Sequence, residues 1–263
     1  MWQWLESIIL GLIQGLTEFI PISSSGHLVI AQTFMNGASD HLFLEFINIG
    51  TMVALLIFFR KRIWNIITDV FVKKNYTLAR NIIITAVPAG IVGYVLADFI
   101  AETPFFMSAT VVVFTLAIVG IAMVVLEKLP KLSPVESGAK MPWWRALIIG
   151  GAQVLALIPG TSRSGSTIIA GRLVGLSAAE AAEYSFLASL PIMAGVTLKV
   201  LSSDTTYLVD NAAMLLISNT AACVSGLLAV GFLMRYLAKH SLAVFGWYRI
   251  ALAAILALIL IIK

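Results

Sequence analysis

Charge and cysteine are scarce in this chain. Of its 263 residues only 11% are charged, whereas 60% are hydrophobic. A soluble domain of this size leaves much of its surface in water and has no room to bury so much apolar side chain. The shortage of charge therefore excludes a soluble protein and predicts an integral membrane protein. The single cysteine, Cys223, lies in an apolar run and excludes an intramolecular disulfide.

The basic stripe and the recognition motif of a nucleic-acid-binding protein are also missing, although the net charge is +4. The lysines and arginines fall mostly into a few loops, a distribution that is typical of membrane orientation. Nucleic acid is therefore excluded as a partner. The first 22 residues lack the basic start and the small-residue cleavage site of a signal peptide, so we expect them to stay in the mature protein.

Six apolar stretches approach the roughly 20 residues that a helix needs to cross about 30 Å of hydrocarbon. They cover residues 42–59, 81–98, 104–126, 184–200, 212–234 and 242–262. Two further stretches, residues 2–34 and 143–176, are interrupted by PISSSGH at 21–27 and by PGTSRSGST at 159–167. Such backbone is tolerated at membrane depth only where protein or a water-filled cavity surrounds it. Each of the two stretches therefore predicts a re-entrant hairpin of two helices.

The two interrupted stretches resemble each other. Residues 11–31 (GLIQGLTEFIPISSSGHLVIA) and 150–170 (GGAQVLALIPGTSRSGSTIIA) share Gln, Pro, Ser and Gly in the same order, which predicts an internal repeat. Each copy precedes three spans, an odd number, so the second copy enters the membrane from the opposite side. The predicted fold is an all-α polytopic membrane protein, with a single membrane domain over residues 1–263. It contains two inverted-topology repeats, about 1–127 and about 142–263, each a re-entrant hairpin plus three transmembrane helices.

Loop charges give the orientation of this arrangement. Basic residues collect in the loops around 60–80, 128–145 and 235–239, which the topology puts on one face, whereas the opposite loops carry Asp98, Glu102, Asp204 and Asp210. By the positive-inside rule the basic face is cytoplasmic. We therefore expect a multi-pass protein of the plasma membrane, with both termini outside and the first hairpin opening to the outer side.

The first interrupted stretch carries an intramembrane carboxylate. Gln14 and Glu18 stand four residues apart and share one face of a helix. A charge at that depth costs about 2.5–3.5 kcal/mol, so Glu18 is a functional candidate, the alternative being a side chain that reaches to the interface. Ser24, Ser25 and His27 follow closely. Serines also cap helices, so Ser25 is expected as the cap while Ser24 or His27 faces the site.

The second interrupted stretch predicts an anion cradle. Its hydroxyls, glycines and helix N-terminal amides suit a phosphate group. The predicted phosphate-binding residues are Ser25, Ser162, Arg163, Ser164, Gly165 and Thr167. Arg163 adds a planar fork for bidentate contact, unless it only pairs with Glu18 for stability. The P-loop pattern GxxxxGK[ST] is absent, which excludes a P-loop NTPase.

Several other polar residues lie within the apolar segments of the sequence. Gln153 occupies the place of Gln14 in the second stretch and is expected to support the site. Glu45 and Glu183 either cap the helices that they begin or belong to the site. Tyr248 and Arg249 form either part of the site or an interfacial anchor.

Five motifs together resemble the undecaprenyl pyrophosphate phosphatase family, also called the bacitracin-resistance family. They are QGLTE at 14–18, PISSSGH at 21–27, PGTSRSGST at 159–167, AEYSFL at 182–187 and FGWYR at 245–249. The resemblance implies hydrolysis of a C55 polyprenyl diphosphate to the monophosphate and inorganic phosphate, which recycles the lipid carrier for cell-wall polymer synthesis. It also implies a divalent cation, Mg²⁺ or Ca²⁺, and a fold of two inverted hairpins and six spans.

Carried over from that family, the active-site positions are Gln14, Glu18, Ser24, Ser25, His27, Ser162 and Arg163. The first of these is Glu in many members, so Glu18 is left as the principal base or metal ligand and Gln14 as its hydrogen-bonding partner. The catalytic set is Glu18, Ser24, His27 and Arg163, and the attacking group is Ser24, His27 or a water. The expected partners are the polyprenyl diphosphate and membrane lipids, with a homodimer left open. The rival function is a transporter or flippase for a lipid phosphate, because inverted broken helices are typical of transporters.

The orientation can be tested by cysteine labelling of intact cells. We expect a cysteine in place of Asp204 to react with a membrane-impermeant thiol reagent from outside, and one in place of Lys74 to stay unlabelled. The reverse pattern would contradict the topology.

Overall fold

A computed structural model describes residues 2–32, 35, 41–130 and 132–262. Apart from an isolated bridge between Val135 and Leu176, the regular structure in these ranges is helical, so the predicted all-α class is confirmed. The α-helices are α1 Trp2–Phe19, α2 Ser24–Gln32, α3 His41–Phe58, α4 Arg60–Phe71, α5 Thr77–Val95, α6 Ala97–Glu102, α7 Pro104–Met107, α8 Ala109–Val125, α9 Trp143–Val154, α10 Arg163–Leu173, α11 Ala178–Ser203, α12 Thr205–Asp210, α13 Ala212–Leu237 and α14 Ala243–Ile262.

Several of these helices are long and apolar enough to cross a membrane. Within the described residues four qualify by length and composition, namely α5, α11, α13 and α14. The pair Leu42–Phe58 and Arg60–Phe71, bent by 71°, adds a fifth candidate. The protein is therefore polytopic, as predicted.

The predicted span at 104–126 is divided in the structure. Ser108 has an extended backbone between α7 and α8, and its hydroxyl accepts a hydrogen bond from the Val111 amide at 3.4 Å. A serine cap of this kind starts a new helix, so α8 begins at Ala109 and is 17 residues long, about 25 Å. This cap is the physical reason why α8 falls short of the predicted length.

Both interrupted stretches are broken helices, as predicted. The first consists of α1, a turn and α2, and the second of α9, a longer turn and α10. Each second helix follows a serine with positive φ, 74° at Ser23 and 72° at Ser162, a region that residues other than glycine seldom enter. The Ser23 hydroxyl accepts from the Gly26 amide at 3.3 Å, and the Ser162 hydroxyl accepts from the Gly165 amide at 3.2 Å. The same local geometry therefore occurs twice.

The first helix of each hairpin packs closely on a long apolar helix. α1 lies against α13, and a Cβ added to Gly15 would come within 2.2 Å of the Ala222 carbonyl oxygen. α9 lies against α5, and a Cβ added to Gly150 would come within 2.9 Å of the Thr85 carbonyl oxygen. Small residues allow backbones to approach in this way inside membranes. This packing holds the first helix of each interrupted stretch against a long apolar helix.

Arg145 is predicted to lie in the basic loop at 128–145, but it lies inside α9. Its side chain is 7% exposed. It donates hydrogen bonds at 2.8 Å to the carbonyl oxygen of Ser133, in the loop after α8, and to that of Val174, at the end of α10. It therefore ties the loop after α8 to the end of α10, because unpaired carbonyls at a helix end need a donor.

Candidate active site

The Glu18 carboxylate is the centre of the site. Glu18 precedes the last residue of α1, and its side chain is 12% exposed. Its Oε2 accepts hydrogen bonds from Ser24 Oγ at 2.7 Å and from Gln14 Nε2 at 3.1 Å. Its Oε1 forms an ion pair with Arg163 Nη2. One carboxylate thus receives donors from α1, from the start of α2 and from the start of α10.

Gln14 links Glu18 to α3. Its Nε2 also donates to Asn48 Oδ1 at 2.6 Å, while Asn48 Nδ2 donates to the Leu44 carbonyl at 2.9 Å. The amide nitrogen carries two hydrogens and can serve both acceptors. Asn48 therefore orients Gln14. No pattern in the sequence pairs Asn48 with Gln14, which lies 34 positions earlier.

Arg163 is the first residue of α10 and meets Glu18 from the second hairpin. Ser164 adds a second link, since its hydroxyl donates to the Glu18 carbonyl at 3.3 Å. This ion pair is the contact that we expect if Arg163 only stabilises the fold by pairing with Glu18. A guanidinium has five N–H donors, however, so pairing with Glu18 and contact with an anion are compatible.

The predicted cradle residues divide into two groups. Ser162 Oγ lies 3.1 Å from Ser164 Oγ and accepts from the Gly165 amide, so these three form the first turn of α10 beside Arg163. Thr167 is 1% exposed, donates to the Arg163 carbonyl at 2.7 Å and contacts Ser185 Oγ of α11. A threonine bonded back to the carbonyl four residues earlier packs within its helix. The structure thus uses the Thr167 hydroxyl between α10 and α11, away from Glu18.

The cap of α2 is Ser23, so the expectation that Ser25 would fill this role is wrong. The reason is the positive φ of Ser23, which turns its hydroxyl towards the Gly26 amide. Ser25 is exposed, and its Oγ lies 3.1 Å from Ser23 Oγ and accepts from the Gly160 amide at 3.4 Å. Ser25 therefore connects the turn of the first hairpin to the turn of the second.

His27 is held by two neighbours other than Glu18. Its Nδ1 lies 2.8 Å from the Ser23 carbonyl oxygen, and its Nε2 lies 2.7 Å from the Tyr248 hydroxyl. A carbonyl oxygen only accepts, so Nδ1 carries the proton, and in a neutral ring Tyr248 donates to Nε2. The His27 and Tyr248 rings also stack at 5.7 Å. His27 is thus oriented by Tyr248 of α14, which lies 221 positions away and which no sequence pattern assigns as its partner.

Arg249 joins the two turns from within the protein. It is 0% exposed and donates to the carbonyl oxygens of Pro21 at 3.3 Å, Gly160 at 2.6 Å and Thr161 at 3.1 Å. An interfacial anchor would be exposed, so that alternative is wrong for Arg249. The signal in the sequence was an arginine inside an apolar helix, which marks a functional or structural site by default.

Two other polar residues lie away from the Glu18 cluster. Gln153 is 2% exposed and donates through Nε2 to the Thr85 carbonyl at 3.4 Å, so it faces α5. Glu183 pairs with Arg62 at 2.8 Å and joins α11 to α4. Neither contact reaches Glu18.

A cation at this site would have few protein ligands. Among the described residues, no group of three or more His, Cys, Asp or Glu could hold a metal ion. The atoms around Glu18 that could bind a cation are carboxylate, hydroxyl and amide oxygens, and oxygen ligands suit Mg²⁺ or Ca²⁺. Mg²⁺ is usually bound by one or two carboxylates together with substrate phosphates, so Glu18 fits a cation shared with a phosphate group.

The fold and the site define a polytopic, all-helical membrane protein with a polar centre between two broken helices. The family model of bacitracin resistance protein BacA matches residues 7–255. This chain belongs to the BacA family, and the resemblance seen in the motifs is confirmed.

Curated relatives match along their whole length. An undecaprenyl-diphosphatase of Rubrobacter xylanophilus is 39% identical over 279 aligned positions, which cover 100% of both chains. Undecaprenyl-diphosphatase 2 of Shewanella oneidensis is 39% identical, with 96% of this chain and 97% of the relative covered. An undecaprenyl-diphosphatase of Enterococcus faecalis is 35% identical, with 95% of each chain covered.

The role of Arg249 can be tested by stability. We expect Arg249→Met to destabilise the protein by several kcal/mol, because each buried carbonyl left without a donor costs about 1–3 kcal/mol. The matched control is Arg235→Met in the exposed last turn of α13, where we expect little change. The measurement is the thermal-unfolding midpoint in detergent, and equal midpoints for the two variants would contradict the assignment.

Proposed function

We propose that this protein is an undecaprenyl-diphosphate phosphatase, a membrane hydrolase that converts a C55 polyprenyl diphosphate into the monophosphate and inorganic phosphate. The observation that carries the proposal is the Glu18 carboxylate held by Ser24, Gln14 and Arg163. These are family motif residues, and the full-length relatives bear the name of this activity. The monophosphate is the lipid carrier for cell-wall polymer synthesis, and its recycling fits a family named for bacitracin resistance.

The terminal phosphate is held at the start of α10. Arg163 contacts two of its oxygens, the Ser162 hydroxyl donates to a third, and the first amides of the helix complete the set. The supporting facts are the position of Ser162 as helix cap and the 11-residue length of α10 behind it. The N-terminal N–H groups of a helix lack intrahelical partners and favour an anion.

Ser24 is the group that the geometry favours for attack. Its hydroxyl donates to Glu18 at 2.7 Å, the arrangement of a nucleophile and its general base. Glu18 takes the Ser24 proton as Oγ bonds to the terminal phosphorus and the bond to the bridging oxygen breaks. A water then attacks the phosphorus, the P–Oγ bond breaks, Ser24 Oγ takes back the proton held by Glu18, and inorganic phosphate leaves. His27 is bonded to Ser23 and Tyr248 and not to Glu18, so we assign the attack to Ser24 and give His27 the role of positioning the turn, while the monophosphate leaves as its anion.

The ion pair sets the order of events. In the absence of substrate, Arg163 occupies Oε1 of Glu18, while Ser24 donates to Oε2. The incoming phosphate gives Arg163 a second anionic partner and loosens its hold on Glu18. With Arg163 turned towards the phosphate, Glu18 keeps its hydrogen bond from Ser24 and accepts the proton of that hydroxyl.

A divalent cation, Mg²⁺ or Ca²⁺, remains part of the proposal. Glu18 and the diphosphate oxygens would hold it, and it would supply neutralisation of the diphosphate charge. The protein's own residues carry the remaining steps.

We also propose the two inverted repeats, six spans and a site that opens to the outer side. The repeated positive φ at Ser23 and Ser162 supports the repeat. So does the packing, since α1 lies against α13 while α9 lies against α5, which is the equivalent helix of the other half. The homodimer stays a prediction.

The alternative function is a lipid-phosphate transporter or flippase, for which broken helices would serve equally well. The names of the relatives favour the phosphatase. The deciding experiment is phosphate release from undecaprenyl diphosphate by detergent-purified protein, which needs no sealed membrane. We expect turnover by the wild type, its loss in Glu18→Gln, and its retention in Gln14→Glu. A folded wild-type protein that releases no phosphate would contradict the proposed phosphatase activity.

The Arg163→Lys variant separates the two interpretations of the ion pair. Lysine keeps the charge but loses the fork, so we expect a kcat nearly as low as that of Arg163→Ala. Arginines that contact a phosphoryl group during transfer raise the rate by about 10³–10⁵ in other enzymes. We expect replacement of Arg163 to lower kcat by about 10³ or less, because the N-terminal amides of α10 still bind the phosphate. The measurement is kcat and KM for both variants beside a thermal-unfolding scan. Near-normal kcat in Arg163→Lys would reduce Arg163 to a stabilising partner of Glu18.

A further inference from the structure

Helix α4 is built to lie along the membrane surface and not across the membrane. It has 12 residues, a length of about 18 Å, and its axis is bent by 71° from that of α3. The hydrocarbon core of a bilayer is about 30 Å thick, so α4 is too short to span it. The first three residues of α4 are Arg60, Lys61 and Arg62, which favour a place at the boundary between lipid and water.

One side of α4 is attached to the rest of the protein. Ile63 and Ile66 pack against the main hydrophobic core, and Arg62 pairs with Glu183 of α11 at 2.8 Å. None of the 12 residues of α4, all of which the structure describes, is buried. The opposite side of the helix is therefore exposed along its whole length.

The exposed side carries an apolar strip beside basic residues. Trp64, Ile67 and Phe71 are spaced by three and four positions, which places them on one face of the helix. They are 65%, 41% and 71% exposed, respectively. Arg60 and Lys61 precede Trp64 by four and three positions, so the basic residues lie at the N-terminal end of the apolar strip. An apolar face beside Lys and Arg is typical of a helix that lies in the membrane interface.

A shallow depression of about 490 Å³ lies at this end of α4 and is lined by Arg60, Lys61, Trp64 and Asn65. Arg60 Nη1 donates to the Ile57 carbonyl at 2.9 Å, and the guanidinium has four further N–H groups. Within the described part of the chain, no hydrogen bond or ion pair engages the Lys61 ammonium. The depression thus brings two cationic side chains and an amide together beside an indole ring.

We propose that this depression binds the headgroup of an anionic phospholipid. The lipid phosphate contacts the Arg60 guanidinium and the Lys61 ammonium, because charged donors of this kind form the stronger hydrogen bonds to phosphate oxygens. The Asn65 amide contacts the rest of the headgroup, and the acyl chains lie along the apolar strip that begins at Trp64. Tryptophan prefers the headgroup level of a membrane, which suits this arrangement. The inference needs only a membrane protein and does not rest on the proposed phosphatase activity.

The test is native mass spectrometry of the detergent-purified protein, titrated with phosphatidylglycerol or with phosphatidylcholine. We expect phosphatidylglycerol to bind more tightly, because its net negative charge is not cancelled within the headgroup. Each Lys or Arg near an anionic lipid surface is worth about fivefold in affinity, so Arg60→Gln/Lys61→Gln should weaken phosphatidylglycerol about 30-fold. The affinity for phosphatidylcholine should stay the same.

The matched control is Arg235→Gln/Lys239→Gln, which removes the same two charges at the end of α13 and in the turn after it. Arg235 resembles Arg60, since it is exposed and donates at 2.9 Å to the carbonyl of Gly231, one turn earlier. Lys239 is exposed as well. We expect this variant to keep the wild-type affinity for phosphatidylglycerol. Unchanged thermal-unfolding midpoints for both double variants would show that the fold is intact.

Four results would overturn the proposal. Equal losses of phosphatidylglycerol in the two double variants would show that any exposed charge attracts the lipid. Equal affinities of the wild type for the two lipids would show that the depression does not select an anion. Displacement of phosphatidylglycerol by inorganic phosphate would assign the depression to a free anion. A dimer that Arg60→Gln/Lys61→Gln abolishes, without any change in lipid binding, would assign this side of α4 to a second copy of the chain.

Discussion

The ion pair between Glu18 and Arg163 is the interaction on which the rest of the site depends. A lone charge at membrane depth costs several kcal/mol, and the two charges are retained because they meet each other and the hydroxyl and amide donors around them. The pair forms only if α1 ends and α10 begins at the same depth. Two straight spanning helices would carry these side chains past one another, so both segments have to break.

Breaking a helix inside a membrane leaves carbonyl groups without partners, and the protein meets this cost with internal donors. Arg249 alone donates to the carbonyls of Pro21, Gly160 and Thr161, so it holds both turns at once. Ser25 adds a direct link to the Gly160 amide. One buried arginine therefore holds together the two turns that carry the candidate site and also donates hydrogen bonds to their carbonyl groups.

The sequence predicted the features that local pattern determines. The spacing of Gln14 and Glu18 and the two breaks follow from helical periodicity and from the cost of irregular backbone in lipid, and the structure has both. Of the six predicted spans, four helices and one bent pair among the described residues are long and apolar enough to cross a membrane. Pattern could not assign partners that lie far apart in the chain, such as Asn48 for Gln14 or Tyr248 for His27. It also misplaced the cap of α2, because a positive φ at a serine has no sequence signature.

In the proposed mechanism the substrate's phosphate takes Arg163 from Glu18, and Glu18 then acts as the base beside Ser24. A structure of the protein with orthovanadate, which adopts the geometry of a phosphoryl group in transfer, tests this most directly. The proposed mechanism predicts that vanadate binds at the start of α10. Its oxygens then contact the Arg163 guanidinium, and Ser24 Oγ lies in line with the vanadium atom. Vanadate bound elsewhere, with Arg163 still paired to Glu18 and Ser24 out of reach, would contradict it.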